Sequence, residues 1–464
     1  MSGQWRHVGV WQRPILFMVL LTFLAPCTSY AQQRDEEASA PLRLTLKDII
    51  QRAVENHPSI REVQGDVAIR ESELQQAKAG YYPTGELVNI AGVVNDAKGD
   101  LLRYKRFSFD EGLSPFTRLE GQIAYPLFTW GRLSNGVKAA TKGVEQEIIS
   151  VEQKKAEVVR EVKELYYTLL YTQQLEELLS EVQGGFQKAV KNIGEQVKRG
   201  KVKQSDELHL RIAYAGVAKD VAKLQNGIEL TRAALLRTMG LPQTATFETA
   251  ETTLKPQPAR LKDLNYYVER LFANRPEWRK LNIGIQAKEA ELKVATGDYF
   301  PAFFLAVPFR YGYAPGRSRQ LNPFAYDNFN FADAGPVLGL RWSLGFAETA
   351  AKVSRTRAEL LKLRAQENTA AAGFPLEVKE AYLNVKEAEG RIKITDDGRK
   401  AGRALVTLGA ANMELGIGDP QEVFQGLGNY TRAANDYYEA VKDYNVALAK
   451  LSLIVGEEVS ELQY

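Results

Sequence analysis

Charged side chains collect at two predicted helix turns, and these are the residues whose chemistry stands out. The first turn is basic and contains Lys198, Arg199, Gly200, Lys201 and Lys203. The second turn is acidic and contains Glu414, Gly416, Gly418, Asp419 and Glu422. Turns of opposite sign that alternate around a closed ring could hold helix tips together or steer the docking of a charged partner.

No set of side chains in the sequence fits catalysis. The histidines are His7 near the N-terminus, His57 beside a helix-starting proline and His209 on a predicted helix, where structural or solvent roles are expected. The Gly416-Ile417-Gly418 segment resembles a nucleotide loop, but the third glycine and the preceding strand are missing. The sequence therefore predicts a protein that is not an enzyme and has no cofactor or metal site.

Residues 1–31 have the pattern of a secretory signal peptide. Arg6 and Arg13 precede an apolar run at 15–24 that is too short to span a bilayer as a helix. Small residues at Ser29 and Ala31 predict cleavage before residue 32. The alternative is a lipoprotein signal in which Cys27, the only cysteine, carries the lipid, although Pro26 fits that pattern poorly.

The net charge gives no support for nucleic-acid binding. It is +3 for the whole chain, and removal of Arg6 and Arg13 with the signal would leave about +1. A nucleic-acid-binding domain normally presents a strongly basic face. We expect no nucleic-acid partner.

The elements that position the charged turns occur twice. Asn56-His57-Pro58 recurs as Asn274-Arg275-Pro276, 218 residues later, and Gly240 recurs as Gly456. Each copy predicts a helix, a β-hairpin and two long helices. The predicted domains are a signal peptide at 1–31, a first repeat at 32–242 with hairpin 85–130 and long helices 133–240, a linker at 243–260, and a second repeat at 261–464 with hairpin 302–346 and long helices 349–456.

Each predicted strand is about long enough to cross a bilayer. Between 302 and 313 large apolar residues alternate with a mixed, partly polar set, which is the period-two pattern of a strand with two different environments. A soluble antiparallel sheet with one wet face has the same pattern. The loops predicted at 95–116 and 314–334 mix basic and aromatic residues, so they could contact anionic outer-membrane lipid, cap a pore or form an aromatic girdle.

The last long helix has an uninterrupted coiled-coil seam. Its positions are spaced four and three residues apart and run through Val423, Leu427, Tyr430, Ala434, Tyr437, Val441, Tyr444, Leu448, Leu451 and Val455. Four strands from one chain cannot close a barrel, and open sheet edges are costly in lipid. The chain must therefore oligomerise if its strands lie in a membrane.

These features together resemble the TolC-type outer-membrane efflux protein family. The resemblance rests on Leu44-Thr45-Leu46, Glu55-Asn56-His57-Pro58, the segment 79–83, Tyr125 to Arg132, Gly240 and Gly456. It implies a mainly α fold with β-strands: a homotrimer in which a 12-stranded outer-membrane β-barrel continues into a 12-helix periplasmic α-barrel. It also implies a passive exit duct that works with a periplasmic adaptor (a membrane fusion protein) and an inner-membrane pump.

The resemblance also suggests residues at the pore. Acidic residues shortly after the second turn form the constriction in the family, which makes Glu422 a candidate together with Asp419. Gln425 stands where a second acid is expected, and Asp206 matches Glu422 in the first repeat. A periplasmic coiled-coil adaptor or scaffold without a membrane barrel is the alternative function. The sequence does not identify the cargo or the type of pump.

Overall fold

The computed structural model describes residues 42–103, 108–200, 203–414 and 420–460, without the side chains of Glu111 and of residues 413, 414 and 420–422. Residues 43–464 form one compact unit, and Leu42 is the described part of the other unit. The predicted signal peptide and Cys27 lie outside the described residues.

The fold is mainly helical with strands, as the sequence predicts. The helices are α1 (Leu46–Asn56), α2 (Pro58–Ala79), α3 (Arg132–Lys198), α4 (Gln204–Thr238), α5 (Leu264–Asn274), α6 (Pro276–Gly297), α7 (Phe346–Glu414) and α8 (Pro420–Val455). The strands are β1 (Leu42–Leu44), β2 (Thr84–Lys98), β3 (Ser108–Phe128), β4 (Phe247–Thr249), β5 (Ala302–Tyr313), β6 (Phe331–Ala334) and β7 (Val337–Arg341).

Two short helices and one small sheet were not predicted. Helix α1 starts with a capping box in which Thr45 and Asp48 bond to each other's backbone, and α5 ends at the residue before Arg275. Strands β1 and β4 form a two-stranded sheet. The two strands have three residues each and carry little periodic signal, whereas α1 has Leu46, Ile49, Ile50 and Ala53 at helical spacing, a pattern that could have predicted it.

The second sheet is antiparallel and follows the order β2, β3, β5, with β6 and β7 both paired to β5. The predicted loop at 95–116 is shorter in the structure, because β2 continues to Lys98 and β3 begins at Ser108. The last strand of the predicted hairpin 302–346 is also different. It is divided at Gly335-Pro336 and ends at Arg341, and α7 already begins at Phe346. Proline has no N–H for a ladder bond, which explains the break.

The register gives the sheet two unlike faces. Gln122 opposes Glu86, and Glu120 opposes Arg310, which in turn opposes Asp333, so one face is polar. The other face is apolar and exposed, and it includes Leu87, Val93, Ile123, Tyr311 and Leu338. The alternation expected for β5 therefore extends across the sheet.

The long helices lie side by side. Helix α4 packs on α3, α3 on α8, and α8 on α7, while α2 and α6 flank α3 nearer the sheet. At about 1.5 Å per residue, the 67 residues of α3 span roughly 100 Å. Helix α7 continues through Pro375, so the sequence Gly373-Phe374-Pro375 does not end it.

The predicted seam of α8 faces the helix core. Ala434, Val441, Leu448, Leu451 and Val455 are fully or almost fully buried. They belong to three clusters of buried side chains that follow one another along α3, α7 and α8. Burial of this apolar stripe is the main contribution to helix packing.

Within the described ranges, none of the helices combines the length and the apolar character needed to cross a bilayer.

Candidate functional site

The basic turn connects α3 to α4 through a left-handed glycine. Lys198 ends α3, Arg199 caps it, and Lys203 precedes α4. Gly200 has a φ of 72°, and its N–H donates to the Val197 carbonyl at 2.9 Å. A residue with a Cβ is strained in this conformation, so the glycine fixes the direction in which the chain reverses. Lys201 lies outside the described residues.

The acidic turn is only partly visible. Gly416, Gly418 and Asp419 lie outside the described residues, as do the side chains of Glu414 and Glu422. Gln425 is exposed on α8, and Asp206 is half-buried in the first turn of α4. Next to Asp206, Glu207 pairs with Arg211 at 2.6 Å. The ring of charges predicted at this end of the helices therefore stays a prediction.

An aromatic contact connects the ends of the two helix pairs. The rings of Phe186 on α3 and Phe424 on α8 stack with their centroids 5.5 Å apart. They belong to a cluster with Leu179, Val182 and Leu210. Phe424 lies two residues from Glu422, so this contact positions the backbone that carries the predicted constriction. Sequence reasoning missed it because Phe424 is adjacent to the seam rather than on it.

Polar side chains connect the middle of α3 to α8. Tyr171 donates its hydroxyl to Asn435 at 2.8 Å, and Lys442 lies over the Tyr171 ring at 5.1 Å. Burial raises the pKa of Tyr171 to about 12, and Glu439 and Asp443 add to the shift. A half-buried phenol is thus held neutral at the centre of the helix bundle.

The middle residue of the repeated Asn-X-Pro motif is His57 in the first copy and Arg275 in the second, and the two side chains make different contacts. His57 accepts a hydrogen bond from the Ser59 N–H at 3.2 Å and caps α2, and burial lowers the pKa of its imidazole. Arg275 instead pairs with Glu277 and Glu377 and lies 3.7 Å over the Phe374 ring. His209 is exposed on α4. His57 and Arg275 therefore both stabilise the start of the helix that follows them.

The Trp130-Gly131-Arg132 turn joins the sheet to α3. Trp130 and Gly131 have φ values of 53° and 76°, so two successive residues are left-handed. The Trp130 indole stacks on Phe300 at 4.7 Å and donates to the Pro301 carbonyl at 2.8 Å. Such strain persists only where contacts on both sides determine it. The turn thereby fixes the position of the first hairpin relative to the helices.

Among the described residues, no group of three His, Cys, Asp or Glu side chains is placed to hold a metal ion.

Solved structures with the same fold are outer-membrane channels. The chain matches the outer-membrane channel OprN with 15% identity and a TM-score of 0.73 over 89% of each chain. It matches VceC from Vibrio cholerae with 15% identity and a TM-score of 0.70 over 89% of this chain and 97% of that one. It matches the Campylobacter jejuni CmeC outer membrane channel with 13% identity and a TM-score of 0.71 over 90% and 87%.

A search of curated proteins gives no match. Residues 49–241, which contain α2, the first hairpin, α3 and α4, match the sequence profile of the outer membrane efflux protein family. This profile and the shared fold agree with the resemblance first noted in the sequence motifs. Residues 49–241 are thus similar in sequence to outer membrane efflux proteins, and the chain shares the fold of solved outer-membrane channels.

Proposed function

We propose that this protein is an outer-membrane efflux channel, a passive, homotrimeric duct from the periplasm to the exterior. Three copies would form a 12-stranded barrel in the outer membrane that continues into a 12-helix periplasmic barrel. A periplasmic adaptor and an inner-membrane pump would supply the cargo and the energy. The chain itself would contribute only a lined passage, without catalysis.

The incomplete sheet is the observation that carries this proposal. Strand β2 pairs with β3 on one side, and the opposite edge of the sheet is formed by β6 and β7. In lipid, each unpaired backbone group costs several kcal/mol. A neighbouring copy that pairs its β6–β7 edge with β2 would satisfy both edges. If β6 and β7 count as one broken strand, three copies give the 12 strands of the proposed barrel.

The helices support the same assembly. Their lateral order is α4, α3, α8 and α7, so α4 and α7 are the outer members of each set. Ile212 on α4 and Ile394 on α7 are more than two-thirds exposed in the single chain. A neighbouring copy would cover apolar side chains at both edges and would close the helices into a ring on the symmetry of the sheet.

The alternative of a soluble periplasmic adaptor accounts less well for the sheet. An adaptor needs long helices, but it does not need the large apolar residues that are exposed on one face of both hairpins. Exposed apolar surface of this extent normally contacts a membrane or a partner. Outer-membrane lipid is the contact that the shared fold and the match to outer membrane efflux proteins favour.

We also propose that Glu422 narrows the closed periplasmic end and attracts cations there, with Asp419, Gln425 and Asp206 nearby. The basic side chains of Lys198, Arg199, Lys201 and Lys203, with the turn glycines Gly200, Gly416 and Gly418, would form the docking end for the adaptor. The support is the opposite charge of the two turns in the sequence.

Membrane fractionation and planar-bilayer recording test the proposed duct. We expect the protein in the outer-membrane fraction and, after extraction with detergent, discrete conductance steps in a bilayer. A protein that is released with the soluble periplasmic fraction and forms no conducting units would support the adaptor alternative instead.

A further inference from the structure

A cavity of about 1140 Å³ lies where the polar face of the sheet meets the first turns of the long helices. Its sheet side includes Gln122, Phe304 and Arg341, and its helix side includes Arg132 and Lys352. All of these residues belong to one chain. The cavity therefore does not require assembly in order to exist.

The charge of this cavity is unbalanced. Four basic residues, Arg132, Arg341, Lys352 and Arg355, line it together with two acidic residues, Asp298 and Glu348. Asp298 is shared, since it pairs with Arg132 at 3.3 Å and with Lys352 at 2.7 Å. One carboxylate therefore serves two cations.

Arg341 differs from the other bases. Its guanidinium lies 5.5 Å over the Phe304 ring, and no ion pair joins it to a carboxylate among the described residues. Arg355, by contrast, pairs with Glu359 at 3.0 Å. Arg341 is thus the cation of the lining that has no carboxylate partner among the described residues. Lys352, on the opposite wall, shares the single carboxylate of Asp298 with Arg132.

Two helices also begin at this cavity. Helix α3 starts at Arg132, after Gly131, which provides no side-chain cap, and α7 starts at Phe346, three residues before Thr349 in the lining. The first turn of a helix carries partial positive charge and N–H groups without intrahelical partners. Both helix dipoles add to the positive potential of the four basic side chains.

The lining also includes the aromatic residues Tyr82, Phe300 and Phe304, next to small and polar residues such as Thr84, Ala302 and Ser343. Aromatic walls with a few convergent charges are typical of sites for organic ligands that carry an ionic group. A purely inorganic anion would use the charges and leave the rings without a contact.

We propose that this cavity binds the anionic group of an organic molecule, a carboxylate, sulfate or phosphate, between Arg341 and Lys352, with the apolar part of the molecule against the aromatic wall. If the protein forms the proposed duct, the polar face of the sheet lines the passage. The site would then contact anionic cargo shortly before it leaves the cell.

Isothermal titration calorimetry of the full chain in a nonionic detergent at low salt tests the site. The probes are sulfate and naphthalene disulfonate, which share the anionic group but differ in the aromatic body. We expect saturable binding of the disulfonate, tighter than that of sulfate. The double variant Arg341→Gln, Lys352→Gln should bind it at least about tenfold more weakly, a loss of about 1.4 kcal/mol.

Arg357→Gln is the matched control, because Arg357 is an exposed base on the same helix that does not line the cavity. It should bind the disulfonate like the unmodified chain. Absence of saturable disulfonate binding, or equal binding by the double variant, would overturn the proposal. Sulfate binding as tightly as the disulfonate would overturn the organic part of it. The molecular mass of each sample distinguishes a failure of the binding site from a failure of the proposed duct. A monomer that binds the disulfonate would contradict only the proposed assembly.

Discussion

A glycine follows the second long helix of each repeat and packs against the asparagine of the Asn-X-Pro motif. Gly240 and Gly456 have φ values of 68° and 71°. A Cβ at Gly240 would lie 3.0 Å from Asn56, and a Cβ at Gly456 would lie 3.0 Å from Asn274. The sequence marks all four residues by their repetition, but it cannot show that they touch, because the partners are more than 180 residues apart.

Replacing Gly240 by alanine should destabilise the protein. The left-handed backbone and the contact with Asn56 both oppose a side chain, and together they should cost about 1–3 kcal/mol. Gly65→Ala is the control, because Gly65 is inside α2 with open space around it. The control should stabilise by up to about 1 kcal/mol. Thermal unfolding in detergent measures both, and equal midpoints for the two variants would contradict the role of Gly240.

The Lys163–Glu458 pair fixes the end of the chain to α3. The Lys163 side chain is 4% exposed, and its Nζ lies 2.6 Å from a Glu458 carboxylate oxygen. Glu458→Gln should lower stability by about 1–3 kcal/mol, because a buried ammonium loses a charged partner. Glu248→Gln, in the exposed pair with Arg43, should change it by less than about 0.5 kcal/mol. Similar shifts of the unfolding midpoint in the two variants would disprove the special role of Glu458.

Glu422 is the residue that the proposed constriction depends on most. Glu422→Ala should raise the single-channel conductance in planar bilayers and weaken the block by divalent cations, because a ring of three carboxylates would be lost. Gln425→Ala, one turn further along α8, is the control for a change without charge. Unchanged conductance and block in Glu422→Ala would remove the assignment.

At the level of elements, strong periodic patterns in the sequence predicted the helices and strands correctly. The contacts between residues far apart in the chain could not be predicted. The seam of α8 and the alternation of β5 are local patterns, and both have the expected burial or facing in the structure. The predicted loop at 95–116 is partly strand because residues far along the chain hold it. The Ala97 N–H donates to the Gly316 carbonyl at 3.1 Å, and the Arg317 Nε donates to the Asn95 carbonyl at 2.9 Å. Neither Gly316 nor Arg317 is visible from the composition of the loop.

Tyr171 connects two helices, and its titration should make the bundle sensitive to high pH. An unfolded tyrosine has a pKa near 10.0, whereas burial raises the pKa of Tyr171 to about 12. The folded state therefore holds this proton more tightly, so its stabilising effect is complete below pH 10 and is lost as pH rises through about 12. The free energy of unfolding should decrease over that interval.

Tyr171→Phe should make this decrease shallower, because the titrating group is gone. It should also lower stability at neutral pH by about 1 kcal/mol, since the hydrogen bond to Asn435 is lost. Asn435→Ala is the matched control, because it removes the same hydrogen bond and keeps the phenol. Thermal midpoints across the alkaline range distinguish the two, and an unchanged pH dependence in Tyr171→Phe would contradict the assignment.

For the whole molecule, the sequence predicted the mainly helical fold with strands and the similarity to outer membrane efflux proteins. It could do so because the duplication, the signal pattern and the helix seams are properties of one chain. The cavity at the junction of sheet and helices was not predicted, since its residues come from β3, β5, β7, α3 and α7. The contacts between copies could not be predicted either, because they would form between the sheet and helix edges of different chains.

The central claim is that one chain supplies an unfinished ring and that sister chains complete it. Native mass spectrometry of the protein extracted from outer membranes in detergent tests this most directly. The account predicts a particle of three chains that stays together without a cross-link. A water-soluble single chain that needs no detergent would contradict it.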